Sequence, residues 1–297
     1  MRNFIIIFDG KEGTSPLIRL LNNFHQISII HQINSSGWEP FDKHNCGALT
    51  LKNLEKCLDI IYNKGSIDIK QLNDIYCKTS ILPLEEINRN GIVGLKMRFN
   101  NYRENPLYIK SFPTWNRALR GLIKNYYARP YKHMLINLLK RNDIVVFFPV
   151  RQDILKWGLS RYHGDGTGKG GHLQFDLASG KISIDQIGKI QVDCSRLNKF
   201  IMECEKLHAQ KHKLMEELSL ANIPVYPLCY ENFLENKQKY FKQIFKYLEL
   251  KISNDELNNA LKDGAYFKKV HSDNISNFVV NYQEVIERFG NSFRSWC

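Results

Sequence analysis

Phe4-Ile5-Ile6-Ile7-Phe8-Asp9-Gly10-Lys11-Glu12-Gly13-Thr14-Ser15-Pro16 is the stretch on which the fold class turns. Phe4 to Phe8 is short, wholly apolar and β-branched at its centre, the pattern of a strand buried on both faces. Asp9 to Gly13 has the composition of a turn. Thr14 or Ser15 then serves as a helix N-cap, with Pro16 in the first turn. Leu17, Leu20 and Leu21 recur at helical spacing behind it. The chain therefore begins with a strand, a glycine turn and a helix N-terminus.

Working outward, four further apolar runs read as strands: Ile27–Ile30, Ile92–Phe99, Ile144–Val150 and Val225–Cys229. Helical patterns fall between them. Leu51, Leu54, Leu58 and Ile61 form one, and Met134, Leu135, Leu138 and Leu139 another. A long helix is expected from about Cys194 to Leu220, and one more from about Asn232 to Leu248. Strands alternating with helices predict an α/β fold, a central and mostly parallel sheet of about five strands with helices on both faces. There is no internal repeat and no Pro- or Ser-rich linker, so residues 1–297 read as a single domain. His163 to Gly171 (HGDGTGKGG) reads as the most flexible loop.

The formal charge is +12, which raises the local concentration of anions. Nucleic acid, an anionic membrane surface and a phosphorylated small ligand all suit that sign. The Lys and Arg residues are scattered, and no RNA- or DNA-reading motif accompanies them, so no nucleic-acid partner is expected. The apolar run at the start is too short for a signal peptide, and no later one is long enough for stable membrane insertion. Seven cysteines form no close CxxC pair, which argues against a metal site or a dense disulfide framework. An odd count suits a reducing compartment, and a cytoplasmic location follows as the expectation.

Two constellations carry chemistry. In Gly10 to Ser15, backbone N–H groups at a glycine turn and helix start form an anion cradle, to which Lys11 adds a charge and Thr14 and Ser15 add hydroxyls. The plainer reading is a βα turn with a surface lysine. In Val146 to Asp153, Arg151 stands just past a buried strand, at the sheet edge where open α/β sheets bind ligands. Ser160, nine residues on, lies along the following helix. Arg151 offers a fork suited to phosphate, or else it pairs with Asp153. Neither stretch is a Walker loop: Lys11 precedes Gly13, and Gly168-Lys169 lacks the first Gly and the Ser or Thr of that pattern.

These stretches together resemble the sulfotransferases that use 3′-phosphoadenosine 5′-phosphosulfate (PAPS). Lys11, Gly13, Thr14 and Ser15 match the 5′-phosphosulfate loop of that family, Pro-Lys/Arg-Ser-Gly-Thr-Ser/Thr. Gly10 and Glu12 depart from it, and a carboxylate at position 12 would repel a phosphosulfate beside it. Arg151, Asp153 and Ser160 resemble the 3′-phosphate motif, with the spacing of the bacterial trehalose and nodulation sulfotransferases. Gly91-Ile92-Val93-Gly94-Leu95-Lys96-Met97 is similar to the central GxFGxKxMW strand of that branch, and Tyr230-Glu231-Asn232-Phe233 to the signature ending its last core strand, where a structural role is expected.

The resemblance implies a P-loop-like three-layer domain that moves a sulfuryl group from PAPS to a hydroxyl of a small-molecule or carbohydrate acceptor, without a metal. It leaves 3′-phosphoadenosine 5′-phosphate as product. It puts Lys11, Gly13, Thr14 and Ser15 on the 5′ side, with Arg151 and Ser160 on the 3′-phosphate. Lys268 or Lys269 then comes from the C-terminal segment to the nucleotide. Glu39, in Gly37-Trp38-Glu39-Pro40-Phe41, is the candidate base, with His25, His31, His44 and His163 as rivals. Trp115, Tyr126-Tyr127 and Trp157 line an acceptor pocket or belong to the core. Residues 41–84 match nothing and stand as a lid or acceptor-specificity insert. The related branch includes homodimers. The competing readings are a catalytically degenerate sulfotransferase-like nucleotide-binding protein and a nucleotide kinase or NTPase.

Overall fold

The computed structural model describes residues 1–30, 59, 62, 91–99, 133–166, 183, 188–263 and 274–292. Among the described residues five strands form one sheet: β1 (Phe4–Phe8), β2 (Ile27–Ile30), β3 (Ile92–Arg98), β4 (Val145–Val150) and β5 (Val225–Cys229). Every pairing is parallel, in the order β2-β3-β1-β4-β5. The expected α/β class and five-stranded parallel sheet are therefore observed.

Side-chain alternation along each strand divides the apolar residues between two faces. Ile5 and Ile7 of β1 join Leu95, Val146 and Phe148 on one face. That face is covered by α2 (133–141), α3 (Ile154–Gly166), α4 (Cys194–Leu220) and the C-terminal α8 (Tyr282–Phe289). Phe4, Ile6 and Phe8 join Ile27, Ile29 and Phe147 on the other, against α1 (Thr14–Asn22), α5 (Tyr230–Glu235), α6 (Lys237–Tyr247) and α7 (Asn254–Asp263). All five residues of β1 are buried, as a central strand with helices on both faces requires. Each large side chain so buried contributes about 1.5–3 kcal/mol. Close packing also accounts for Gly94: it pairs with Phe4, and a Cβ there would lie 2.2 Å from the Phe4 ring.

Several expectations change, β3 among them: it ends at Arg98, one residue before the expected Phe99. The helix foreseen from Asn232 to Leu248 is two. Asn236 has extended backbone (φ −148°, ψ 90°), and its side-chain oxygen caps α6 by accepting from the Lys239 N–H. That is the competition between Asn side chains and the helical backbone. The loop expected from His163 begins later, because α3 continues through Gly166. Strand β4 begins at Val145, one residue later than expected. No helix among the described residues is long and apolar enough to cross a membrane.

Candidate functional site

The strand order locates the site. From β1 the chain moves through α1 toward β2 at one edge; from β4 it moves through α3 and α4 toward β5 at the other. The connections after these adjacent strands leave to opposite faces, which opens a crevice at their carboxyl ends, the place where open α/β sheets bind ligands. Residues 9–13 and 151–153 form its two walls.

The first wall is a tightly bent loop. Lys11 (φ 68°) and Gly13 (φ 77°) both take left-handed backbone. Gly13, not Thr14 or Ser15 as expected, is the N-cap of α1, which begins at Thr14, and it offers no side chain to cap the helix. A Cβ on Gly13 would meet the Tyr230 ring at 2.3 Å, so glycine is required there on two counts. The Asp9 carboxylate accepts from the Gly10 N–H at 2.6 Å. Lys11 is exposed, Thr14 buried and Ser15 exposed. Burial of its surroundings lowers the pKa of Lys11.

Glu12 does not face the crevice. Its carboxylate turns into the protein, 2 % exposed, and forms a buried ion pair with Lys211 of α4. It also accepts from the Asp9 N–H at 2.6 Å, and the Lys211 ammonium donates to the Pro149 carbonyl at 2.9 Å. Burial raises the pKa of Glu12, and the Lys211 charge opposes that shift. The repulsion expected of a carboxylate in a phosphate loop is thereby removed: the charge is compensated and points away.

The second wall is held by a different carboxylate. Glu231, just after β5, accepts from the N–H groups of Gln152 and Asp153 at 3.1 and 3.2 Å. Asp153 in turn accepts from Lys156 N–H at 2.9 Å and caps α3. Arg151 does not pair with Asp153. Its Nη1 donates to the Lys11 carbonyl at 3.4 Å, and its guanidinium lies 4.7 Å above the Tyr230 ring. Its Nε is buried with no hydrogen-bond partner.

Further bonds tie the walls together. Trp157 of α3, 1 % exposed, donates from its indole to the Gly10 carbonyl at 3.0 Å. This indole belongs to the core and braces the loop; it is not an acceptor-pocket wall. Arg161, one turn on, bridges Asp9 (3.4 Å) and Glu203 of α4 (3.1 Å). Burial works against its charge, but Asp9, Cys204 and Glu203 outweigh it and raise its pKa. Burial pushes the neighbouring Cys204 thiol up to about 12, against the pull of Arg161. Ser160 is half-buried on α3, one turn before the buried His163. Burial, and then the Lys11 charge, lower the pKa of His163. Lys96 is buried on β3, with its ammonium 4.1 Å from the Phe8 ring centroid.

The structure thus brings Lys11, Gly13 and Arg151 together and sets Thr14, Ser15 and Ser160 on the two helices that begin there. Glu39, Lys268, Lys269, His31, His44, Trp115 and Tyr126-Tyr127 lie outside the described residues, as does the whole of 41–84 save Asp59 and Tyr62. Sequence reading gave Tyr230 a structural role and Trp157 a place in an acceptor pocket or the core, and it missed Arg161 and Lys211 as parts of this site. For Lys211 there was a signal. The buried stripe of α4 runs Leu197, Ile201, Cys204, Leu207, Lys211, Leu214, Leu218, so a lysine occupies a core position and demands a buried carboxylate. Among the described residues no group of three or more His, Cys, Asp or Glu could hold a metal ion.

No family model matches the chain, and no curated protein does. Solved structures give distant likenesses. A mouse sulfotransferase, SULT7A1, complexed with PAP is 11% identical, with a TM-score of 0.39 over 98% of this chain and 84% of that one. Sulfotransferase STF9 from Mycobacterium avium is 10% identical, at 0.39 over 97% and 75%. A sulfotransferase from Alicyclobacillus acidocaldarius is 11% identical, at 0.41 over 98% and 92%. Likenesses this remote carry nothing about residues or ligands.

Proposed function

We propose that this protein is a sulfotransferase that moves a sulfuryl group from PAPS to a hydroxyl of a small-molecule or carbohydrate acceptor. The observation that carries the reading is the pairing of the two walls: the Lys11 loop and Arg151 meet across the switch-point crevice, with the Arg151 guanidinium on the Lys11 carbonyl. The groups facing a ligand there suit a bisphosphate. Arg151 and Lys11 supply two cations, and the one carboxylate inside the loop motif is neutralised by Lys211. Bound there, PAPS supplies an activated sulfuryl group and a phosphate leaving group.

Each residue then has a defined task. The first-turn N–H groups of α1 and the hydroxyls of Thr14 and Ser15 bind the 5′-phosphate. Lys11 would supply the cation that offsets negative charge developing on the leaving phosphate. Arg151 and Ser160 grip the 3′-phosphate, and Lys268 adds a charge from the C-terminal segment. Glu39 removes the acceptor proton, a contribution of about 10²–10⁴-fold. His163, whose pKa burial and then the Lys11 charge lower, is the alternative acceptor for that proton. On this reading residues 1–297 form one cytoplasmic domain, with 41–84 as the acceptor lid or specificity insert.

Calorimetric titration with 3′,5′-adenosine bisphosphate and with 5′-AMP tests the reading. Wild type should prefer the bisphosphate, and Arg151→Ala should lose that preference while binding AMP as before. Equal affinity of the wild type for both ligands would sink it. Glu39→Gln should lose turnover yet keep bisphosphate affinity; a parallel loss of both would remove Glu39 as the base.

A further inference from the structure

Lys211 lies on α4, some two hundred residues from Glu12 in sequence, yet it touches the first wall and the strand that leads into the second. An ammonium has three donors. Here they meet three acceptors: the two carboxylate oxygens of Glu12 and the carbonyl of Pro149. Glu12 belongs to the first wall, and it fixes the start of that loop through the Asp9 N–H. Pro149 lies two residues before Arg151, at the end of β4. The lysine is 1 % exposed and cannot itself meet a ligand.

We infer that Lys211 is a positioning residue that sets the separation of the two phosphate subsites, acting through Glu12 on one wall and through the Pro149 carbonyl at the end of the strand that carries the other. The inference rests on the sulfotransferase reading, because it assigns one phosphate to each wall. A ligand that bridges two sites gains from their linkage only when their spacing matches its own. A mismatch in spacing forfeits that linkage, which is worth about 10²-fold or more. A ligand with one phosphate is indifferent to that spacing. Loss of Lys211 as a spacer therefore has a signature that loss of packing alone lacks: the bisphosphate weakens and the monophosphate does not.

The test is the double variant Glu12→Met/Lys211→Met, which removes both charges together. A buried ion pair replaced by apolar residues of similar volume is often neutral for stability. Titrated with 3′,5′-adenosine bisphosphate and with 5′-AMP, it should bind the bisphosphate about 10–100-fold more weakly than wild type and AMP equally well. A double variant that keeps the wild-type preference overturns the inference and leaves the sulfotransferase reading intact. A wild type without preference overturns both. If the double variant does not fold, amide hydrogen exchange on the ligand-free wild type decides. The Asp9 N–H should exchange as slowly as the amides of β1, because Glu12 is locked in place without ligand; exchange at the rate of an open loop overturns the inference.

Discussion

The two walls of the crevice solve one problem in two ways. Each is a loop just past a central strand, and each is held by a carboxylate. In the wall after β4, Glu231 is half-buried and needs no cation, because the N–H groups of Gln152 and Asp153 satisfy it. In the wall after β1, Glu12 is buried outright, and the Lys211 ammonium does most to make that burial tolerable. The first device is local and graded. The second is all-or-none, since either partner alone is an uncompensated charge in the core.

This contrast sets the order of expected effects. Lys211→Met strands the Glu12 carboxylate and should cost about 3–5 kcal/mol in urea unfolding. Glu231→Gln keeps one acceptor and should cost about 1–2 kcal/mol by the same measurement. Equal losses would show that the two walls are braced alike and would break the comparison.

Within the first wall, its two glycines differ as sharply. Gly13→Ala forces a Cβ into left-handed backbone and against Tyr230, so about 1–3 kcal/mol should be lost. Gly10→Ala meets nothing within 4 Å and should stay within about 0.5 kcal/mol of wild type.

The smallest effect is the pH dependence of His163, which lies against the first wall from a helix of the second. Its folded pKa is below the ordinary value of 6.5, so the unfolded chain binds the proton more readily. Stability should therefore fall as pH drops below about 6.5 and level off below the folded pKa. His163→Gln should show a shallower fall in melting temperature over that range; parallel curves would show that burial, with the Lys11 charge, does not depress the His163 pKa.

The strands and the charged residues of the walls were legible because their signals are local. Phe4 to Phe8 and Val225 to Cys229 are bounded by turn residues and match the observed strands. Lys11, Gly13 and Arg151 follow such strands directly, and their convergence on one crevice follows from the parallel topology. Bracing was not legible, because it is made between residues far apart in the chain. Trp157 to Gly10 and Lys211 to Glu12 span the fold, and Glu12 read locally looks like a defect in an anion loop. Only the register of α4 turns that carboxylate into half of a pair. Asn236 shows the opposite failure: apolar periodicity on both sides concealed a break that one side chain imposes.

The contact of Gly13 with Tyr230 has a consequence for how such a sequence can change over time. The ring fills the space a larger residue at 13 would need, and the same ring supports the Arg151 guanidinium. A substitution at 13 must wait for a smaller side chain at 230, and that change strips Arg151 of its platform. The three positions form a ratchet in which no single step is neutral, so relatives that share the crevice should keep or lose Gly13, Arg151 and Tyr230 together.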